Sequence, residues 1–136
     1  MLNKAILIAC KAHYGQRDKG GEPYILHPLR IMMKMNTDIE RICAVLHDVV
    51  EDSSITFKEL KDEGFSEEVI EVLTHLTKKE GEDYSLFIDR ISQNYIACRV
   101  KLADIEDNLV LSRIPDPTPE DKLRIEKYKA ARSKLS

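Results

Sequence analysis

The chain has 136 residues, of which 43% are hydrophobic and 33% are charged. This length predicts one domain, residues 1–136, that buries about two-thirds of its unfolded surface and needs no disulfides for its core. The net charge of -3 gives no general electrostatic case for nucleic-acid binding. The longest apolar run near the N-terminus, residues 5–10, is too short for a signal peptide or a membrane span. We therefore expect a cytoplasmic protein that binds neither nucleic acid nor membrane.

Three cysteines, Cys10, Cys43 and Cys98, are widely spaced and each lies beside apolar residues. An odd number at such spacing does not indicate a disulfide framework or a zinc knuckle. The pattern predicts reduced thiols in the core, as in proteins of a reducing compartment.

Apolar residues recur at helical spacing along most of the chain. Gly15 ends the first helix, and a polar loop rich in glycine follows as far as Pro23. Pro28 suits the first position of a short helix, and Asp38 is predicted to cap the helix after it. The predicted helices cover residues 2–12, 28–35, 38–52, 56–63, 67–77, 84–92, 95–114 and 120 onwards.

Helix boundaries in the second half carry clear signals. Thr56 and Glu59 form a capping-box pattern, Gly64 closes that helix, and Ser66 caps the next one. Three prolines then predict an extended turn before the last helix: Pro115, Pro117 and Pro119. The sequence predicts an all-α bundle of seven or eight helices.

The segment from residue 47 to residue 52 reads HDVVED and places four ionisable side chains in an apolar run. If the segment is helical, His47 lies over Glu51 and Asp48 lies over Asp52, because positions four apart share a face. Carboxylates are rarely buried without a partner, and a bound cation would be such a partner. A solvated face of an amphipathic helix is the alternative interpretation.

Candidate metal ligands occur at three places in the chain. They are His27 beside the predicted start of a helix, the pair His47 and Asp48, and Asp104 directly after an apolar pair. Two imidazoles and two carboxylates suit a first-row divalent ion such as Mn²⁺, with positions left open for water and substrate. The alternative for Asp104 is a solvated helix face that it shares with Asp107.

Four motifs occur in order: AHYGQ at residues 12–16, GEPYILHP at 21–28, LHDVVED at 46–52 and VKLAD at 100–104, with Asn108 four residues later. This set resembles the hydrolase domain of the RelA/SpoT proteins, in the HD phosphohydrolase superfamily. The resemblance extends from about residue 2 to residue 128, and implies an HD-domain helical bundle.

The resemblance also implies roles for particular residues. A Mn²⁺ ion would be bound by His27, His47, Asp48 and Asp104. Glu51 and Asp52 match the acidic pair that positions and activates the attacking water, Asn108 lines the pocket, and Tyr128 contacts the nucleotide sugar. Members of the family remove pyrophosphate from the 3′ position of guanosine tetra- or pentaphosphate.

The loop at residues 15–24 departs from the family pattern. It reads GQRDKGGEPY where the family has GQxRKxGxPY, so Asp18 stands at an arginine position. In the family that arginine packs against guanine, whereas a carboxylate cannot stack and repels phosphate. Lys19 and Arg17 would offset phosphate charge, the alternative being an ordinary solvated loop. Arg17 replaces the missing arginine only if the loop turns differently.

Three functions follow from these observations. The first is a Mn²⁺-dependent alarmone 3′-pyrophosphohydrolase acting on a small-molecule nucleotide. The second keeps the metal chemistry and acts on another nucleotide, such as a dNMP, a dNTP or NADPH. The third is a catalytically silent nucleotide-binding module. The products of the reaction distinguish the three.

Overall fold

A computed structural model describes residues 1–111 and 117–136. Within those ranges the chain forms eight helices of six or more residues and one single helical turn, with no β-strand. They are α1 (Leu2–Ala12), α2 (Leu26–Met33), α3 (Asp38–Leu46), the turn α4 (Val49–Asp52), α5 (Phe57–Asp62), α6 (Glu67–Leu76), α7 (Tyr84–Ile91), α8 (Tyr95–Leu111) and α9 (Pro119–Leu135). The predicted all-α fold is confirmed. The predicted helix end at residue 114 and the turn at Pro115 lie outside the described residues.

Helix α3 forms the centre of the bundle and packs against α1, α2, α6 and α8. Its residues 42–46 are all buried, so the helix is apolar around most of its circumference. Leu46 at its end is only 1% exposed, and burial of a leucine side chain stabilises a fold by about 1.5–3 kcal/mol. The centre of the bundle therefore holds the end of α3, where His47 follows, in a fixed position. Among the described residues, none of the helices is both long and apolar enough to cross a bilayer.

Two predicted helix starts are wrong by one or two residues. Thr37, not Asp38, caps α3, because its hydroxyl accepts the N–H of Glu40 while the Glu40 carboxylate accepts the N–H of Thr37. Helix α2 begins at Leu26 rather than Pro28. Pro28 lies in the first helical turn, where its missing N–H has no partner to lose.

Helix α5 ends as its glycine predicts. Gly64 has a φ of +98°, and its N–H donates to the carbonyl of Lys61 at 2.9 Å. The next N–H, of Phe65, donates to the carbonyl of Leu60 at 3.3 Å, which completes a Schellman motif. At the start of the helix the Thr56 hydroxyl accepts the N–H of Glu59, as the sequence predicts.

The prediction of one continuous helix over residues 38–52 is wrong. Helix α3 stops at Leu46, and α4 starts at Val49 with Asp48 as its N-cap. The carbonyl of Ala44 accepts both the backbone N–H of His47 at 3.4 Å and its ring Nδ1–H at 2.7 Å, so the chain tightens there. The N–H of Asp52 still donates to the carbonyl of Asp48 at 2.9 Å, so Asp48 lies one turn before Asp52 as predicted, whereas His47 belongs to the break and not to a helix shared with Glu51.

Helix α9 and the cysteines bring two smaller corrections. Pro119 is the first residue of α9 and Thr118 its cap, so the helix begins one residue earlier than predicted.

Cys43 is buried, and its burial raises the pKa of the thiol to about 12. Cys98 is half-buried, whereas Cys10 is exposed on α1, so the prediction of a core thiol is wrong for Cys10.

Candidate metal centre and its cleft

Three separate parts of the fold bring the four predicted ligands together. His27 comes from the first turn of α2, His47 and Asp48 from the break between α3 and α4, and Asp104 from α8. His27, His47 and Asp104 each offer one donor atom within 4.8 Å of the others, and all three are buried. His27 Nε2 lies 2.8 Å, and His47 Nε2 3.5 Å, from the same oxygen, Asp104 Oδ1.

Asp48 contacts this cluster through His47. Its Oδ2 lies 3.0 Å from His47 Nε2, and the same oxygen accepts a hydrogen bond from the hydroxyl of Tyr24. Adjacent ligands of an octahedral ion with bonds near 2.1 Å stand about 3 Å apart. The separations of 2.8, 3.0 and 3.5 Å between these donor atoms bracket that value.

An unsatisfied atom supports a cation at this place. The ring Nδ1 of His47 faces the carbonyl of Ala44 and must donate to it, so in the neutral ring Nε2 carries the lone pair. Within residues 1–111 and 117–136, His47 Nε2 is buried without a hydrogen-bond partner, although two carboxylates lie within 3.5 Å of it. A lone pair facing carboxylates is repulsive unless a proton or a metal ion lies between them. The donor set therefore fits a divalent ion.

The carboxylates raise the pKa values of both ring systems. Burial disfavours the charged form of His27, but its hydrogen bonds to Asp104 and Asp107 raise its pKa above the ordinary value. Burial also opposes charge on His47, yet the Asp48 carboxylate raises the pKa of that ring well above the ordinary value. The site thus stabilises positive charge at the ring nitrogens, where a metal ion and a proton would compete.

Asp104 and Asp107 are buried at 4% and 5% exposure, so their alternative interpretation as a solvated helix face is wrong. Lys101 Nζ lies 2.9 Å from Asp104 Oδ2, and the amide of Asn108 donates to Asp104 Oδ1 at 3.0 Å. Burial alone would raise the pKa of Asp104. The Lys101 ammonium and the hydrogen bond from His27 instead hold it well below the ordinary value.

The acidic pair lies on α4, next to the cluster. Glu51 Oε1 accepts the backbone N–H of Lys78, and the backbone carbonyl of Asp52 accepts the Gln16 amide at 2.9 Å. Burial raises the pKa of Glu51, and burial with the Asp48 carboxylate raises that of Asp52. A carboxylate with a raised pKa suits proton transfer near neutral pH.

A polar cleft of about 260 Å³ opens beside the cluster, and Asp48 and Glu51 form part of its wall. Among the residues that the structure describes, four cationic side chains also line it, from the connector after α6, from α8 and from α9. The described lining residues are Asp48, Glu51, Leu76, Lys78, Tyr84, Phe87, Lys101, Arg124, Lys127 and Tyr128. Tyr128, for which the resemblance implies contact with the nucleotide sugar, thus lines the same cleft as Asp48.

Sequence reasoning missed most of this wall. Arg124, Lys127 and Tyr128 share one face of α9 at spacings of three and four residues, and this is the signal that was available. Nothing local in the sequence indicated Tyr84, whose buried hydroxyl has no hydrogen-bond partner in the part of the chain that the structure describes. The Lys127 ammonium lies 3.9 Å from the centre of the Tyr84 ring, which connects α7 to α9 at the cleft.

The glycine-rich loop lies outside that wall. Arg17 donates to the carbonyl of Gly21 at 2.8 Å and lines a separate depression of about 470 Å³ beside α1. Lys19 Nζ lies 3.5 Å from Asp121 Oδ1 in the first turn of α9. The Asp18 carboxylate accepts the N–H of Glu22 at 3.0 Å, so its side chain closes the loop on itself. Neither Arg17 nor Lys19 lines the cleft.

Comparison with known proteins identifies relatives of this chain. It is 32% identical over 123 residues to a guanosine-3′,5′-bis(diphosphate) 3′-pyrophosphohydrolase of Vibrio cholerae, a match that covers 87% of this chain. It is 33% identical over 120 residues to the protein of the same name in Aquifex aeolicus. It is also 32% identical over 123 residues to the bifunctional (p)ppGpp synthase/hydrolase SpoT of Escherichia coli. In the last two cases 79% of this chain is covered, and in all three the chain spans 17% of the relative's length.

A solved structure has the same fold. It is a metazoan orthologue of SpoT that hydrolyses ppGpp, with a TM-score of 0.83 and 22% identity, and the match covers 98% of this chain and 84% of that one. No protein-family model matches the sequence. The sequence relatives match over 79–87% of this chain and the solved structure shares its fold, so the chain resembles a RelA/SpoT-type hydrolase domain.

Proposed function

We propose that the chain is a divalent-metal-dependent phosphohydrolase that removes pyrophosphate from the 3′ position of guanosine 3′,5′-bis(diphosphate) and leaves GDP. The named activities of the Vibrio cholerae and Aquifex aeolicus relatives support this substrate. The observation that carries the proposal is the adjacency of two features. The buried imidazole and carboxylate cluster shares Asp48 with a cleft lined by lysine and arginine side chains.

In this proposal the metal is Mn²⁺, and His27, His47, Asp48 and Asp104 hold it. The ion would lower the pKa of a water molecule and polarise the phosphate that is attacked. Glu51 and Asp52 position that water, and Glu51 takes its proton. Asn108 lines the pocket, as the resemblance implies, and its amide donates to Asp104 Oδ1 and so orients that carboxylate.

The cationic wall binds the diphosphates. Lys78, Lys101, Arg124 and Lys127 carry positive charge into a cleft that also contains two carboxylates. Charge-assisted hydrogen bonds from such groups are about twice as strong as neutral ones. Tyr128, in the same wall, contacts the sugar, as the resemblance implies. Lys19 and Arg17 act on the substrate only if the loop at residues 15–24 rearranges on binding.

A second candidate is hydrolysis of a different nucleotide, and Asp18 is the specific observation that favours it. Its carboxylate closes the loop through the N–H of Glu22, so no guanidinium stands at the position that contacts guanine in the family. The metal chemistry would be the same, with a dNMP, a dNTP or NADPH as substrate.

A substrate panel with added Mn²⁺ tests the proposal, with the products separated by ion-exchange chromatography. Pyrophosphate together with GDP supports the first candidate. Inorganic phosphate released from another nucleotide supports the second, and binding without turnover indicates a silent module. The Asp104→Asn variant is the control for contaminating hydrolases, because it removes the carboxylate that both histidines face. The proposal places the protein in the cytoplasm, in keeping with its three free cysteines.

A further inference from the structure

A second carboxylate of α8, that of Asp107, contacts the imidazole of His27 at the nitrogen opposite the one that faces Asp104. Asp107 Oδ2 lies 2.6 Å from His27 Nδ1, while Asp104 Oδ1 lies 2.8 Å from His27 Nε2. The two aspartates are one helical turn apart, so each contacts one nitrogen of the same imidazole. All three side chains are buried. The plane and the tilt of the ring are therefore set by two points on one rigid helix.

Asp107 is in turn held by Arg30. The guanidinium donates from Nε to Asp107 Oδ1 at 2.8 Å and from a terminal nitrogen to Oδ2 at 2.9 Å. This bidentate pairing fixes the plane of the carboxylate. Both oxygens of Asp107 are engaged by Arg30 and His27, whereas Asp104 turns an oxygen towards His47 as well. Asp107 therefore lies outside the donor cluster and acts on it through His27.

The chemistry of the contact sets the tautomer of His27. An ionised carboxylate only accepts hydrogen bonds, so Nδ1 of His27 must carry the proton in their 2.6 Å contact. Nε2 lies 2.8 Å from the Asp104 carboxylate and donates to it when protonated, whereas a divalent ion at the cluster would replace that proton and bind the Nε2 lone pair of the neutral ring. A histidine that binds a metal through Nε2 needs this tautomer and this orientation.

We propose that Asp107, oriented by Arg30, is a positioning residue for His27 that holds Nδ1–H away from the cluster and presents Nε2 to a divalent ion. The inference rests on the proposed function only in that it takes this cluster as the metal site. Loss of such a partner behind a metal-binding histidine typically weakens metal affinity 10–100-fold.

Asp107→Asn is the informative substitution, because it keeps the volume and replaces one acceptor oxygen by an NH₂ donor. If that NH₂ faces Arg30, two N–H donors face each other and the hydrogen bond from Arg30 is lost. If it faces His27, it requires Nδ1 to accept, and the proton moves to Nε2, where it blocks the metal. Arg30→Gln, at a half-exposed position, is the second variant. Asp38→Asn is the matched control, since Asp38 pairs with Arg41 at the exposed start of α3, at the opposite end from His47.

Isothermal titration of Mn²⁺ into each folded protein gives the first readout. We expect Asp107→Asn to bind about 10–100-fold more weakly than the parent, Arg30→Gln a few-fold more weakly, and Asp38→Asn within about twofold of the parent. A parent protein that binds no divalent ion would overturn the metal site and this inference together. A parent that binds, with an Asp107→Asn variant that binds equally well, would overturn this inference alone.

Nitrogen-15 NMR of the histidine rings in Zn²⁺-loaded protein gives a readout that a purely structural role would not change. In the parent, we expect a slowly exchanging Nδ1–H proton on His27 that is hydrogen-bonded to a carboxylate. In Asp107→Asn this signal should shift or vanish, while the His47 Nδ1–H signal, held by the carbonyl of Ala44, stays in place. If Asp107→Asn fails to fold, Arg30→Gln decides. An unchanged His27 signal and unchanged Mn²⁺ affinity in that variant would contradict the proposal.

Discussion

Asp48 and Glu51 lie three residues apart, and the structure predicts opposite consequences for their amide variants. Asp48 contributes to the cluster itself, with its Oδ2 3.0 Å from His47 Nε2. Glu51 lies on the cleft wall, where its carboxylate accepts the N–H of Lys78. We expect Asp48→Asn to lose metal, and Glu51→Gln to keep metal and lose turnover.

The expected magnitudes follow from these contacts. Asp48→Asn keeps an acceptor for the Tyr24 hydroxyl but removes an anionic ligand. Because loss of a mere supporting partner costs about 10–100-fold in affinity, loss of a ligand should cost at least about 100-fold. In Glu51→Gln the amide oxygen still accepts the Lys78 N–H, so the connector after α6 stays in place. Loss of a general base costs ~10²–10⁴-fold in rate, or about 2.7–5.5 kcal/mol of barrier.

Two measurements on the same preparations separate the roles. Calorimetric titration gives the Mn²⁺ affinity, and steady-state hydrolysis of guanosine 3′,5′-bis(diphosphate) at saturating Mn²⁺ gives kcat. Glu63→Gln is the matched control for charge removal, because Glu63 is exposed and pairs with Lys4, 3.1 Å away. The reasoning is refuted if Glu51→Gln retains kcat within a few-fold of the parent, or if it loses Mn²⁺ as Asp48→Asn does.

Three further outcomes are expected. Chelation should abolish hydrolysis and lower Tm by roughly 5–20 °C relative to protein with Mn²⁺ at 100 times its Kd, because binding to the folded state alone contributes about 2.7 kcal/mol; full turnover in chelator contradicts this. Asp18→Arg should raise kcat/KM for the guanosine nucleotide several-fold to about 30-fold relative to an adenosine analogue, since a guanidinium–base contact is worth ~0.5–2 kcal/mol. Asp18→Asn, which retains the acceptor for Glu22, should improve both nucleotides alike, and an unchanged guanine preference in Asp18→Arg would show that position 18 does not face the base. Hydrogen bonds from Arg90 lower the pKa of Glu82 to about 2 in the folded protein. The ionised Glu82 therefore stabilises the fold fully at a pH above its unfolded pKa, near 4.5, and this stabilisation is lost as the pH falls through the folded pKa. Urea titrations should therefore show Glu82→Gln to be less stable than the parent at pH 7 and equal to it near pH 2; an equal loss at both pH values would exclude the ion pair as the cause.

The sequence by itself determined the helical character of the chain and the identity of the donor residues. Helical spacing of apolar residues, together with local caps such as Ser66 and Thr56, depends on residues within one or two turns, so it is readable without a structure. The types and order of His27, His47, Asp48 and Asp104 likewise needed only the motifs that contain them. Their separation in the chain left open whether they meet in space.

Tertiary structure decided what surrounds those residues. The break after Leu46 arises because the ring Nδ1–H of His47 donates to the Ala44 carbonyl. Whether this hydrogen bond forms depends on the direction in which the buried ring can point. Asp107 becomes a buried partner of His27 only because α2 and α8 pack together across 80 residues of chain. The cleft cations come from three elements brought together by the packing of α7, α8 and α9. Local sequence encodes periodicity and caps over a few residues, whereas burial and electrostatic partners are set by helices distant in the chain, and no local pattern records them.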